Sequence, residues 1–195
     1  MKHTGIFGLF DILGFKTFCE NGDPDKSRKV LEWLDSLDVI FKTQLLNMFQ
    51  MQEFEALSFL NEFHWLFFSD TIFFALPFRD DPNSETARSK LLFFIMVSAI
   101  MNRRMFEMGF PLSGIIHTGE FVVTKRCFAG KPIVDAFERN KNMKIAACAF
   151  SSEATTYITN NIPPSHKFAM FLPGLMVEFP IPNQLGQVEK LHTLN

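Results

Sequence analysis

An α+β domain, with an antiparallel-rich sheet and helices packed on it, is the fold the sequence predicts, and three observations carry it. Short apolar segments bounded by turn residues recur as strands, and one pair of them is split only by Ser69-Asp70. Two long stretches, 24–50 and 85–107, instead read as helices. Strand and helix segments follow one another in the order β-α-β-β-α-β-β-α-β, which suits a mostly antiparallel sheet with helices on it. The 195 residues fit one domain, 1–195, long enough to bury roughly 70% of the unfolded surface.

Taken in order, residues 4–10 (TGIFGLF) form a short strand closed by Asp11 and followed by ILGF. Across 24–50, Val30, Leu31, Leu34, Leu37, Phe41, Leu45 and Met48 recur near the 3.6-residue period, with Pro24 in the first turn and Asp23 as its cap. Residues 62–76 (EFHWLFFSDTIFFAL) read as a tight hairpin with Asp70 at the turn, and 79–85 as a loop. The helix after it contains LLFFIMVSAIM, Leu91 to Met101, too short to span a bilayer and therefore a buried helix. Residues 111–123 (PLSGIIHTGEFVV) suggest two strands turning at His117-Thr118-Gly119. Gly130 precedes a third helix, KPIVDAFERNKN, with Pro132 in its first turn. A strand over 144–151, a short helix over 151–162 and short edge strands in a proline-broken tail complete the chain.

Composition excludes several classes. The formal net charge of -2 lacks the basic footprint of a protein that grips nucleic-acid polymers. Cys19, Cys127 and Cys148 are odd in number and have neither disulfide-scaffold nor zinc spacing, which fits a reducing cytosol. With no secretory pattern at the start and no spanning segment, the expectation is a cytoplasmic protein that does not enter membranes. The 25 phenylalanines, against a single tyrosine and two tryptophans, point to core packing or a protein–protein interface, because phenylalanine has no polar handle.

Two carboxylates stand out chemically. Asp11 lies in FDILGF and Asp70 in LFFSDTIFF, and a lone carboxylate among phenylalanines costs several kcal/mol unless a cation pairs with it or it points out of a turn. Both residues as simple turn formers is one reading. The other is that neighbouring strands bring the two together on divalent metal, with an oxygen donor set that favours Mg²⁺ or Mn²⁺ over zinc. His64 and His117 are not spaced as zinc ligands and read as structural or surface histidines.

The segments FDILGF (10–15), FFSDTIFF (67–74), GIIHTGEFVV (114–123) and GKPIVDAFE (130–138) occur in the order found in the class III nucleotidyl cyclase domain, which the chain resembles over about residues 4–160. Within that superfamily it is similar to the bacterial pyrimidine cyclases of the Pycsar anti-phage systems, which make cyclic UMP or cyclic CMP. The resemblance implies a ferredoxin-like core, a head-to-tail homodimer with sites between subunits, and two divalent ions, Mn²⁺ or Mg²⁺, per site. It implies metal binding at Asp11 and Asp70 with the backbone at Ile12, and a phosphate cradle along Ile12, Leu13, Gly14 and Phe15. It also implies UTP or CTP as substrate and a separate effector protein that responds to the cyclic nucleotide.

Departures from the family pattern bear on substrate and turnover. Purine cyclases of the family carry a base-reading Lys four residues before the hairpin Asp, where this chain has Leu66, and a second base-reading group that a gapless match places at Cys127. Neither can supply the adenine-reading groups, which argues against ATP. The same match puts the family's transition-state Asn at Val134 and its Arg at Glu138. A one-residue shift would use Asp135 and Arg139 instead, which makes Arg139 a catalytic candidate; Lys125, Arg126, Arg103 and Arg104 are further phosphate candidates. Two principal readings stand: a uridylate or cytidylate cyclase, and a catalytically weak cyclase-like module that binds nucleotide or a partner protein. An unrelated α/β binding domain is the third.

Overall fold

The computed structural model describes residues 2–21, 24–48, 53–78, 81, 84–124, 127–143 and 145–195. In chain order its elements are β1 (Lys2–Ile12), α1 (Phe15–Asn21), α2 (Pro24–Asp35), α3 (Leu37–Met48), α4 (Glu53–Leu60), β2 (His64–Phe68), β3 (Thr71–Pro77), α5 (Glu85–Glu107), β4 (Leu112–Val123), β5 (Phe128–Ala129), α6 (Lys131–Asn142), β6 (Cys148–Phe150), α7 (Ser152–Asn161), a 3₁₀ turn (Lys167–Phe171), α8 (Leu172–Leu175), β7 (Met176–Pro182) and β8 (Val188–Leu194). The strands form one mixed sheet in the order β2-β3-β1-β4-β6-β8-β7, with β5 paired to β4 off that path. β4 and β6 are parallel, and the other pairs are antiparallel.

Alternation along the central strands separates two apolar faces. Ile6, Phe10 and Ile12 of β1, Ile72, Phe74 and Leu76 of β3, and Leu112 and Ile116 of β4 join the larger core beneath α2, α3, α5 and α7. Phe7, Leu9, Phe73, Ala75 and Ile115 face the other way and join Phe121 and Ala136 of α6 in a smaller cluster. α5 is buried continuously from Lys90 to Ala99, which explains the unbroken apolar run from Leu91 to Val97. Its start is fixed by Ser84, whose hydroxyl accepts from the Ala87 N–H at 3.1 Å. Among the described residues no helix is long and apolar enough to cross a membrane.

Several elements differ from the sequence expectation. The 24–50 period resolves into α2 and α3, divided at Ser36. Its hydroxyl donates to the Trp33 carbonyl at 2.7 Å, and its N–H lies 3.2 Å from the Glu32 carbonyl and 3.0 Å from that of Trp33, a tightened turn that ends α2. The apolar stripe continues across the break, since Leu34, Leu37 and Phe41 enter one core. The expected Asp23 cap lies outside the described residues, as do positions 49–52. α1 was not expected: it has no buried residue, hence no stripe to read. α4, at eight residues, is too short to show a period.

The two strands expected over 111–123 are a single strand. β4 pairs with β1 without interruption from Lys2↔Val122 through Gly5↔Gly119 to Ile12↔Leu112. Gly119 serves close packing rather than a turn, because a Cβ there would lie 2.6 Å from Cγ of Pro132 at the start of α6. The strand expected over 144–151 shrinks to the three residues of β6. In the tail, β7 is an edge strand as expected, but β8 lies inside the sheet between β6 and β7.

Candidate active site

At one end of the sheet Asp11 of β1 lies between Thr71 of β3 and Ser113 of β4, its direct partners in register. These three positions share the parity of Leu9, Phe73 and Ile115, so the polar row closes the smaller apolar face. The Thr71 hydroxyl donates to Asp11 Oδ1 at 2.9 Å. Asn140, from the last turn of α6, donates its amide to Asp11 Oδ2 at 2.8 Å and accepts from the buried Ser113 hydroxyl at 2.8 Å. Both ends of the Asn140 amide are therefore used, which fixes its orientation.

Asp70 arrives from the turn between β2 and β3. Ser69 takes a left-handed φ of 57°, which a two-residue hairpin loop requires. The Asp70 carbonyl accepts from the Ile12 N–H at 2.7 Å, so the turn is tied to the residue that follows Asp11. β1 runs one residue past Asp11, after which the Leu13 N–H donates to the Pro111 carbonyl at 2.9 Å. Gly14 has a φ of 75° and its carbonyl accepts from the Phe18 N–H at 2.9 Å, turning the chain into α1. Asp11, Ile12, Leu13, Gly14 and Phe15 thus form one continuous rim beside Asp70.

Burial is the main influence on the Asp11 carboxyl and pushes its pKa above the usual carboxylate value. The bond from Thr71 opposes this, the charge of Asp70 adds to it, and the bond from Asn140 again opposes it. Among the described residues no Lys or Arg forms an ion pair with Asp11. A half-buried carboxylate with a second one beside it is the condition that a divalent cation relieves. Each Asp11 oxygen accepts one hydrogen bond, leaving a lone pair on each for a metal, and an all-oxygen set suits Mg²⁺ or Mn²⁺. The residues fit such an ion. Among the described residues no three His, Cys, Asp or Glu side chains gather, so remaining donors would have to be backbone, phosphate or water oxygens.

The other predicted residues lie apart from this row. Leu66 is half-buried on β2 opposite Phe73 and packs into the smaller cluster, where Phe73 and Phe128 approach to 4.0 Å between ring centroids. Cys127 is exposed in the β4–β5 turn, its N–H donating to Thr124 Oγ1 at 3.1 Å. Arg139 is exposed on α6, one residue before the buried Asn140, and is not among the groups that bond Asp11. Val134 and Glu138 are also exposed on α6, whereas Asp135 is half-buried and paired with Lys131 at 2.6 Å. Arg103 and Arg104 both bind Glu107 at the end of α5. Lys125 and Arg126 lie outside the described residues. His117 is a structural histidine: the Ser151 hydroxyl accepts from the Ala154 N–H and sits 2.8 Å from His117 Nδ1, and burial lowers the imidazole pKa.

Sequence reasoning missed Thr71, Ser113 and Asn140. The first two carried a legible signal, being polar residues at the inward parity of apolar strands. Asn140 carried none, since one Asn in a charged helix end reads as solvated surface.

No family model matches the chain, and no curated protein matches it. The likeness is to solved structures, and it establishes the fold as that of a class III nucleotidyl cyclase. The adenylyl cyclase CyaB from P. aeruginosa superposes with a TM-score of 0.56 at 10% identity, covering 100% of this chain and 95% of that one. The monomeric guanylyl cyclase domain of the RhoGC fusion protein from the aquatic fungus Blastocladiella emersonii gives 0.57 at 10% identity, covering 100% and 96%. The guanylate cyclase domain of RhGC from Catenaria anguillulae, in complex with GTP, gives 0.55 at 9% identity, covering 100% and 98%.

Proposed function

We propose that this protein is a metal-dependent pyrimidine nucleotide cyclase that converts UTP to 3',5'-cyclic UMP and pyrophosphate, with CTP as the alternative substrate. The observation that carries the reading is Asp11: a half-buried carboxylate, hydrogen-bonded on both oxygens and set beside Asp70, at a sheet end of a cyclase fold. Asp11 and Asp70 would hold two divalent ions, Mn²⁺ or Mg²⁺. When bound, these supply charge stabilisation at the α-phosphate and the leaving phosphates and ease ionisation of the ribose 3'-hydroxyl. The 3'-oxygen then bonds to the α-phosphorus, the bond to the bridging oxygen of the β-phosphate breaks, pyrophosphate leaves and the hydroxyl proton passes to solvent. Thr71 and Asn140 hold the Asp11 carboxylate in one orientation for this task. Of the expected cradle, the N–H groups of Ile12 and Leu13 are already given to the Asp70 and Pro111 carbonyls, so Gly14 and Phe15 are the rim positions left to offer N–H groups to the phosphates, and Arg139 is the candidate counter-charge.

Leu66 and Cys127, which the resemblance matches to the base-reading positions of purine cyclases, argue against ATP, because neither satisfies the polar edge of adenine and an unpaired edge discriminates strongly. The preference for UTP over CTP rests on the resemblance alone. On the same resemblance, the enzyme works in the cytoplasm as a head-to-tail homodimer in anti-phage defence, signalling to a separate effector protein. Val134 and Phe137, exposed at 59% and 47% on α6, supply apolar surface for a second copy. Val134→Asp should then convert a sedimenting dimer to monomer and abolish turnover; an active, proven monomer would refute the composite site.

A second reading, a cyclase-like module that binds nucleotide without turnover, is favoured by Val134 and Glu138 at the positions matched to the family's Asn and Arg. Equal UTP, CTP, ATP and GTP with Mn²⁺, and products resolved by chromatography and mass, decide among these. Dominant cyclic UMP is expected, and cyclic CMP would correct only the base. Cyclic AMP or cyclic GMP would overturn the pyrimidine assignment, and bound but unchanged nucleotide would select the module.

A further inference from the structure

We propose that Gln184, at the tip of the β7–β8 hairpin, positions Asn140 and through it the Asp11 carboxylate, so that this hairpin sets the divalent-metal affinity of the candidate site. The metal part of this inference rests on the reading of Asp11 given above.

The final carbonyls of a helix have no intrahelical donors. At the end of α6 two of them are satisfied by one residue of the edge hairpin β7–β8. The Gln184 N–H donates to the Asn142 carbonyl at 3.0 Å, and its side-chain amide donates to the Lys141 carbonyl at 2.7 Å. An isolated antiparallel bridge between Met143 and Asn183 extends the junction by one residue. Asn140, the residue that holds Asp11, sits in this same last turn. At the other end of α6, Pro132 packs against Gly119, so the helix is held at both ends and Asn140 lies beside the hairpin clamp.

The tip is pre-formed by its own hydrogen bonds. Asn183 Oδ1 accepts from the N–H groups of Leu185 and Gln187 at 2.9 and 3.0 Å, and Gly186 takes a φ of 77°, which pre-forms the turn. Gln184 itself is exposed and Leu185 is 83% exposed, so core burial does not account for the tip's position. Hydrogen bonds weaken steeply with misalignment, and the Asn140 amide is committed at 2.8 Å on both sides. A small shift of the last turn therefore reaches Asp11 directly.

The test uses the full chain and the variants Gln184→Ala, Gln184→Met, Asn140→Leu and the double change Gln184→Ala with Asn140→Leu. Two readouts are taken: the ¹⁵N-resolved side-chain amide of Asn140 without metal, and Mn²⁺ binding followed by electron paramagnetic resonance. Asn140→Leu should weaken Mn²⁺ binding about tenfold or more, as loss of a group that orients a metal ligand does, and Gln184→Ala about threefold. Gln184→Met, which keeps the stem and the backbone donor, should shift the Asn140 amide resonance and its proton exchange in the same direction as Gln184→Ala, by less. In the Asn140→Leu background, Gln184→Ala should cost nothing further. Unmoved Asn140 resonances in both Gln184 variants would overturn the proposal, as would independent multiplication of the two losses. Asp11→Ala separates the two levels. If it binds Mn²⁺ as tightly as the unaltered chain, the metal reading fails and the metal clause of this inference with it, while the Asn140 resonances still decide whether the hairpin positions Asn140.

Discussion

On the sheet face beneath α2, α3 and α5, Phe41, Phe63, Phe74 and Phe93 lie within 5.4 to 6.1 Å of one another wherever their rings pair, mostly edge to face. On the opposite face the apolar cluster is smaller and ends in the row of Thr71, Asp11 and Ser113, closed by Asn140. The first face is held by burial, which has no direction and which phenylalanine supplies in quantity. The second gives up apolar area for hydrogen bonds of fixed geometry around one carboxylate. Stability and chemistry are therefore separable here, although one strand, β1, feeds both: Phe10 goes to the core and Asp11, next in sequence, to the site.

Breaking the first face should have the largest effect. Phe93 is fully buried and packs on Phe41, Phe59 and Phe63, so Phe93→Ala should cost about 3–5 kcal/mol in urea unfolding. A loss under about 1 kcal/mol would mean the face is not the main source of stability. Gly119→Ala strikes the support of the second face, forcing a Cβ to within 2.6 Å of Pro132 Cγ unless α6 shifts. It should cost about 1–3 kcal/mol and loosen the last turn of α6, seen as faster amide exchange at Asn140.

Asp11→Asn sharpens the contrast by sign. Burial and Asp70 raise the Asp11 pKa, so the folded metal-free protein holds this proton more tightly than the unfolded chain. The ionised carboxylate then lowers stability at neutral pH. As pH falls through the raised folded value toward the ordinary 3.8, that penalty is lost. Thermal melts without metal should show the unaltered protein gaining stability relative to Asp11→Asn as pH falls from 7 toward 3.8, on top of a constant offset from the amide that replaces an acceptor of Thr71 or Asn140. A difference that does not change with pH would contradict the assignment. The smallest effect belongs to Phe68→Ala: at 75% exposure it should change monomer stability by no more than about 0.5 kcal/mol.

How much of this was legible follows from the same contrast. The apolar run from Leu91 revealed α5, and residues suited to turns and helix starts revealed α6, α7 and the β2–β3 hairpin. Asp11 and Asp70 were legible as carboxylates out of place among phenylalanines. The break at Ser36 was not, because the apolar stripe crosses it. The continuity of β4 was hidden because Gly119 signals a turn and in fact makes room for Pro132. Asn140 and Gln184 were hidden because their roles exist only after residues 11, 140 and 184 meet in space.

The most direct test of the central claim, that Asp11 and Asp70 hold the metal on which cyclisation depends, is product formation from UTP and CTP by the unaltered protein, Asp11→Asn and Asp70→Asn, with and without Mn²⁺. The account predicts a cyclic pyrimidine nucleotide from the unaltered protein only when Mn²⁺ is present. It predicts none from either variant, each shown by its melt to be folded. Undiminished product from a folded Asp11→Asn or Asp70→Asn protein would contradict it.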